Sequence, residues 1–233
     1  MCTVTYLPLK EGGFILTSNR DESPIRNTIP PKKYDEDGVE MVYPKDVLAG
    51  GTWIGVSDKN RLVCLLNGGF EKHQRNQQYR MSRGVVVKKI LSVDNPVAYI
   101  QEFDFYDIEP FTIVLVDWNS DLKGYELVWD GKKKHVQQLS QEPKIWSSST
   151  LYDESMKEDR KKWFEEWLSH HSEFDQGEIL KFHLSTDKGT EGTTLKMKRP
   201  FVETVSVTSI KKDKTISIKY KDLKVSEVTE LQF

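Results

Sequence analysis

Cys2-Thr3-Val4-Thr5-Tyr6-Leu7-Pro8, followed after Gly12-Gly13 by Phe14-Ile15-Leu16-Thr17-Ser18-Asn19-Arg20-Asp21-Glu22, is the stretch whose reading decides the fold. β-branched residues alternate through Thr3, Val4 and Thr5, which suits a strand. Pro8 ends it, the glycine pair supplies a turn, and Phe14 to Thr17 reads as the return strand. The second arm ends in four consecutive polar side chains. A turn centred between Lys10 and Glu11 sets Cys2 opposite Asn19.

Further along, residues 23–38 are rich in proline and charge and read as a loop. Strands are expected at 39–43, 47–49, 53–57 and 61–66, the last two joined at Ser57-Asp58-Lys59-Asn60. Apolar spacing between 80 and 104 predicts two helices broken near Asn95-Pro96. A very apolar strand at 111–116 precedes strands near 124–129, 134–139 and 144–148. Met156, Trp163, Phe164 and Trp167 mark a helix over 153–170, and a shorter one follows at 176–183. The chain ends in strands at 201–210, 215–220 and 225–231. Antiparallel strand blocks separated by helix pairs define an α+β fold, with two sheets face to face and helices outside. No linker or repeat divides the chain, so one domain over 1–233 is expected. The absence of GxGxxG and of single alternating strands and helices argues against a dinucleotide-binding fold.

The chain has 233 residues, with 37% hydrophobic side chains and a net charge of −2, so it can build a core and has no electrostatic bias toward nucleic acid. No apolar run approaches a membrane span, and the start lacks a secretory signal. Two cysteines without a CxxC pair read as reduced thiols, and a cytoplasmic location follows. Neither HExxH nor paired histidines suggest a metal.

Cys2 is the first candidate for chemistry. Removal of Met1 would place a thiol and an α-amine on one residue, an attacking group with its own base. The plain alternative is a small hydrophobe at a strand start. Arg20 could stabilise a thiolate or clamp a carboxylate, and Asp21 could accept from the Cys2 amine; an ordinary turn with an ion pair is the alternative. Gly50 and Gly51 permit close backbone approach to a ligand, and Asn67 ends the face of Val63 and Leu65, where its amide could serve an oxyanion hole. Cys64 points the other way and reads as an inert core thiol. The hydroxyls of Ser147, Ser148, Ser149 and Thr150 are placed to cap the following helix or to meet an anion. Arg160 and Lys161 read as solvated helix charges, His170 and His171 as helix-end cations, and His183 as a core side chain.

Met1-Cys2-Thr3, Asn19-Arg20-Asp21-Glu22, Gly50-Gly51-Thr52-Trp53-Ile54-Gly55 and Leu65-Leu66-Asn67 together resemble the NRDE, or Transport and Golgi organisation 2, family. The resemblance is specific over about the first 70 residues and looser through Ser147 to Leu151. It implies a four-layer αββα sandwich of two mainly antiparallel sheets, like that of the N-terminal-nucleophile (Ntn) hydrolases. Distant relatives with that fold, penicillin V acylase and bile salt hydrolase, cleave amide bonds with an N-terminal cysteine. By similarity Cys2 is the nucleophile, Arg20 and Asp21 assist it, and Asn67 joins the oxyanion hole. Asn19, Glu22, Gly50, Gly51, Trp53, Ser148 and Ser149 would surround a small-molecule substrate. Two departures stand out: the hydrolases separate the arginine and aspartate by two residues, and Ser148 stands where the family tends to have asparagine. The family's links to haem trafficking and lipid metabolism imply an alternative, a non-catalytic binder with haem or an acyl-type metabolite as ligand. No other cofactor is implied.

Overall fold

A computed structural model of the chain describes residues 3–233. Cys2, the expected nucleophile, lies outside the described residues. In chain order the strands are β1 (Thr3–Pro8), β2 (Phe14–Glu22), β3 (Thr28–Glu36), β4 (Val39–Asp46), β5 (Ile54–Ser57) and β6 (Arg61–Asn67). Helices α1 (Arg83–Ser92) and α2 (Pro96–Glu102) follow, then β7 (Phe111–Asp117), β8 (Lys123–Trp129), β9 (Lys134–Gln138) and β10 (Lys144–Ser147). Helices α3 (Glu154–Ser169) and α4 (Gln176–Leu184) precede β11 (Lys198–Arg199), β12 (Val202–Lys212), β13 (Ile216–Asp222) and β14 (Glu227–Gln232). The chain divides into two compact units: one holds Met1–Arg26 with Gln141–Phe233, the other Asn27–Ser140.

In the first unit the sheet runs β10-β1-β2-β12-β13-β14, with β11 on β12. Its pairings are antiparallel. The β1–β2 turn is a short 3₁₀ segment in which Glu11 and Gly12 both have positive φ, and Leu9 N–H donates to the Gly13 carbonyl. That centres the turn on Glu11, so the register differs by one from expectation: Thr3 faces Asn19. One face of the sheet carries α3 and α4, which bury Phe164, Ile179 and Phe182 against Leu7 and Ile15. Burying each such side chain contributes roughly 2–3 kcal/mol. Asp153 caps α3 by accepting from Met156 N–H, and Asp175 caps α4 at Gly177 and Glu178. The serines and threonine at 147–150 therefore do not cap α3.

The second unit is a seven-stranded meander, β3 to β9 in sequence order. Ser57-Asp58-Lys59-Asn60 turns as expected, with Asn60 at φ +56°. Val86, Val87, Ile90 and Leu91 form the buried stripe of α1, and Asn95 caps α2 ahead of Pro96. Two expectations fail here. Residues 28–36 form a strand rather than a loop, because β3 is an edge strand and its prolines, Pro30 and Pro31, fall in the irregularity between Ile29 and Lys32. Proline is tolerated there because no ladder bond needs its missing N–H. Residues 47–49 are a turn rather than a strand: Asp46 captures Ala49 N–H with its side chain and Gly50 N–H with its carbonyl.

Candidate functional site

Thr3 is flanked on both sides of β1, pairing with Asn19 of β2 and with Ser147 of β10. The polar run 19–22, expected at the end of a strand, is built into β2 and continues its ladder with β12. Neighbouring residues of a strand point to opposite faces, and that separates the run.

Asn19 faces α4. Its amide Nδ2 donates to the carbonyls of His183 (3.1 Å) and Leu195 (2.8 Å), while Oδ1 meets His183 Nδ1 at 2.6 Å. Because Oδ1 can only accept, His183 carries its proton on Nδ1, and Nε2 accepts from Thr5 Oγ1 at 2.8 Å. Burial holds the His183 imidazole down at about 3, so it is neutral at physiological pH. Asn19 thus ties α4 and the following segment to the sheet.

Asp21 lies on the same face and receives two short hydrogen bonds, from Tyr152 OH and Thr204 Oγ1, each 2.6 Å. The Tyr152 ring lies under the Arg160 guanidinium, 3.6 Å from its centroid, with Arg199 at 5.4 Å. Arg160 is fully buried and donates to the Thr194 carbonyl, which overturns its reading as a solvated helix charge. Its place on the apolar stripe with Met156, Phe164 and Trp167 was the signal available in the sequence. Nothing in the sequence pointed to Tyr152 or Thr204.

Arg20 is buried on the opposite face. Its charge acts on the phenol of Tyr220, which burial has pushed up to about 12. Between the partners of Asp21 and Arg20, β12 carries a bulge: Thr204 faces Asp21 and Ser206 faces Arg20, with Val205 inserted. Glu22 is spent locally, binding Ser23 N–H and Arg26. Ser148 and Ser149 are buried; the Ser148 carbonyl accepts from Leu151 and Tyr152 N–H, a turn that delivers Tyr152 toward Asp21.

The remaining expected residues belong to the second unit. Asn67 is the last residue of β6, paired with Phe111, and alternation sets it on the face of Arg61, Val63 and Leu65. That is the face carrying α1, since Arg61 donates to the carbonyls of Ile90 and Val93. Gly68 N–H next to it is committed to the Pro110 carbonyl. Gly50 has φ +67° and open space at its Cβ position. Gly51 packs on α1: a Cβ there would come 2.7 Å from the Gly84 carbonyl carbon, so its close approach is to a helix. Trp53 is buried, and its carbonyl accepts from Leu65 N–H at 2.7 Å. Cys64 is fully buried among apolar side chains, as expected of an inert thiol. Among the described residues no group of three or more His, Cys, Asp or Glu side chains is placed to hold a metal ion, and no helix is long and apolar enough to cross a membrane.

Two mainly antiparallel sheets with their helices give an α+β fold of the Ntn-hydrolase-like class, and solved structures of that class match nearly the whole chain. A variant of the conjugated bile acid hydrolase from Clostridium perfringens aligns with TM-score 0.56 at 9% identity, covering 99% of this chain and 92% of that one. The Caenorhabditis elegans ortholog of N-acylethanolamine-hydrolyzing acid amidase aligns at 0.55 and 14% identity, covering 90% and 92%. Penicillin V acylase from Agrobacterium tumefaciens aligns at 0.52 and 8% identity, covering 100% and 86%. By sequence the chain belongs to the Transport and Golgi organisation 2 family, matched over residues 1–222. No curated protein matches it in sequence.

Proposed function

We propose that this protein is an Ntn-type amidohydrolase whose nucleophile is Cys2, exposed by removal of Met1, and whose substrate is a small molecule with a C–N amide bond. The observation that carries the reading is the position of Thr3. The residue after Cys2 sits in β1 between β2 and β10, beside the buried Asn19, Arg20, Asp21 and Ser148. The α-amine takes the thiol proton, and sulfur attacks the carbonyl carbon. The oxyanion is held by hydrogen-bond donors. Collapse expels the amine with the proton returned from the α-ammonium and leaves a thioester. Water, deprotonated by the α-amine, then releases the carboxylic acid and the free thiol. Asp21 accepts from the α-ammonium and orients it. Arg20 supplies positive charge to the thiolate or to a substrate carboxylate.

Intact mass of the purified chain tests the first requirement, which is loss of Met1. Iodoacetamide should then label Cys2 faster than a model thiol at pH 7, with Cys64 untouched until the protein unfolds. Cys2→Ala should abolish turnover of an N-acyl amide panel. Retained Met1, or a Cys2 no faster than a model thiol, would sink the mechanism. The same fold would then be read as a binder of haem or an acyl-type metabolite, for which a Soret shift on haem titration is the check.

A further inference from the structure

We infer that the first unit carries a separate small-molecule site between α3, α4 and the segment 185–195, built for a flat aromatic compound bearing one hydrogen-bond donor, of the indole or phenol class. The cavity there has a volume of about 340 Å³, within the range of small-ligand pockets. Its apolar walls are Trp163, Trp167, Phe182 and Leu195, and flat ligands pack on such rings by offset or edge contacts. The segment over it is shaped to the ring: Gly189 has φ +84°, and a Cβ there would lie 2.9 Å from the Trp163 edge.

Hydrogen-bond bookkeeping narrows the ligand. Four charged side chains of the lining pair with one another, Glu166 with Lys188 and Glu178 with Lys181 at 2.7 Å. Thr194 Oγ1 already donates to the Ser185 carbonyl, and Ser185 Oγ to Asp187. With both lysines paired, an anionic ligand would lose its hydration there for no uncommitted counter-charge, so the buried part of the ligand is not an anion. The two histidines differ from these groups. His170 Nδ1 lies 2.8 Å from the Glu166 carbonyl and His171 Nδ1 lies 2.7 Å from the Trp167 carbonyl. A carbonyl only accepts, so each Nδ1 carries the proton and each neutral ring keeps Nε2 as an acceptor. His171 is also stacked on Trp167, with centroids 4.0 Å apart, which sets that acceptor at the edge of the aromatic wall. An N–H or O–H on a flat ligand is its complement.

Indole and benzofuran share size and planarity and differ in the N–H, which makes them a matched pair of probes. Each is titrated at pH 8 into the full-length, ¹⁵N-labelled protein while the side-chain N–H signals of the six tryptophans are followed, with Trp163→Phe and Trp167→Phe assigning two of them. Indole should move the Trp163 and Trp167 signals saturably and leave the other four in place. It should bind about two- to tenfold more tightly than benzofuran, the worth of one net hydrogen bond. His171→Phe, which keeps a ring on Trp167, or His170→Ala should erase that difference. Absence of saturation at millimolar indole, or equal movement of all six signals, overturns the site. Equal affinity for the two probes, or a preference that survives both histidine variants, overturns the assigned ligand class. None of these outcomes depends on Cys2 being a nucleophile.

Discussion

The two seven-stranded sheets are built on opposite principles. In the meander of the second unit, Leu62 to Leu65 of β6 lie against Ile113 to Val116 of β7, and the centre is apolar. In the first unit the central strands β1, β2 and β12 bury Thr3, Thr5, Ser18, Asn19, Arg20, Asp21, Thr204 and Ser206. An apolar centre gains from any tight packing, whereas a polar one is stable only where each group meets its partner. The meander joins neighbours in sequence, while the first sheet pairs β2 with β12 across most of the chain. The candidate residues Asn19, Arg20 and Asp21 lie in the second arrangement.

Substitutions can break or sharpen this contrast. The largest effect is expected from matched truncations of the two centres. Asp21→Ala leaves the Tyr152 and Thr204 hydroxyls buried without their acceptor and should cost about 3–4 kcal/mol. Leu66→Ala should cost about 3 kcal/mol through its cavity. Restoring an acceptor with Asp21→Asn should recover much of the first loss in urea unfolding. Full stability in Asp21→Ala would show that the polar centre is dispensable. Next, Gly51→Ala forces a Cβ onto the Gly84 backbone and should lower stability by roughly 2 kcal/mol; an unchanged unfolding midpoint would rule out that contact. Tyr152→Phe keeps the ring under Arg160 and removes only the donor to Asp21, so about 1 kcal/mol is expected.

Per pH unit, the pH dependence of the polar centre is of the same small size. His183 binds its proton far less readily folded, at about 3, than unfolded, near 6.5. The unfolded chain therefore takes up the proton first as pH falls below 6.5. The stabilisation is complete above that value and is lost toward pH 3, at most on the order of 1 kcal/mol per pH unit. His183→Gln should flatten this slope. Hydrogen exchange at pH 4.5 should show β2 amides losing protection relative to pH 7 while β6 and β7 change less. Equal loss in both sheets would remove the distinction.

Much of the fold was legible because local physics repeats along the chain. Alternation marked the β1–β2 hairpin, and the 3.6-residue stripe together with the break at Asn95-Pro96 marked helices. Strand β3 was not legible, since proline reads as a breaker until the strand is known to lie at an edge. The candidate site was legible as residue types at Asn19 to Glu22, but not as geometry. Whether Arg20 and Asp21 share a face follows from their lying within a strand rather than after one. Arg160 looked solvated because charge dominates its local reading, and only its partners Tyr152 and Thr194, distant in sequence or on another element, justify its burial.

What the sequence determined alone is the set of short-range elements, because each depends on neighbours within a few residues, and the family, which is carried by residue types at fixed positions. Tertiary structure decided the rest: the register that sets Thr3 against Asn19, the opposite faces of Arg20 and Asp21, and the burial of Tyr152, His183 and Arg160. Several of those outcomes depend on contacts closed between segments more than a hundred residues apart, Asp21 with Tyr152 and Thr204 and Asn19 with His183. A buried polar group is satisfied or costly only once the distant partner has arrived.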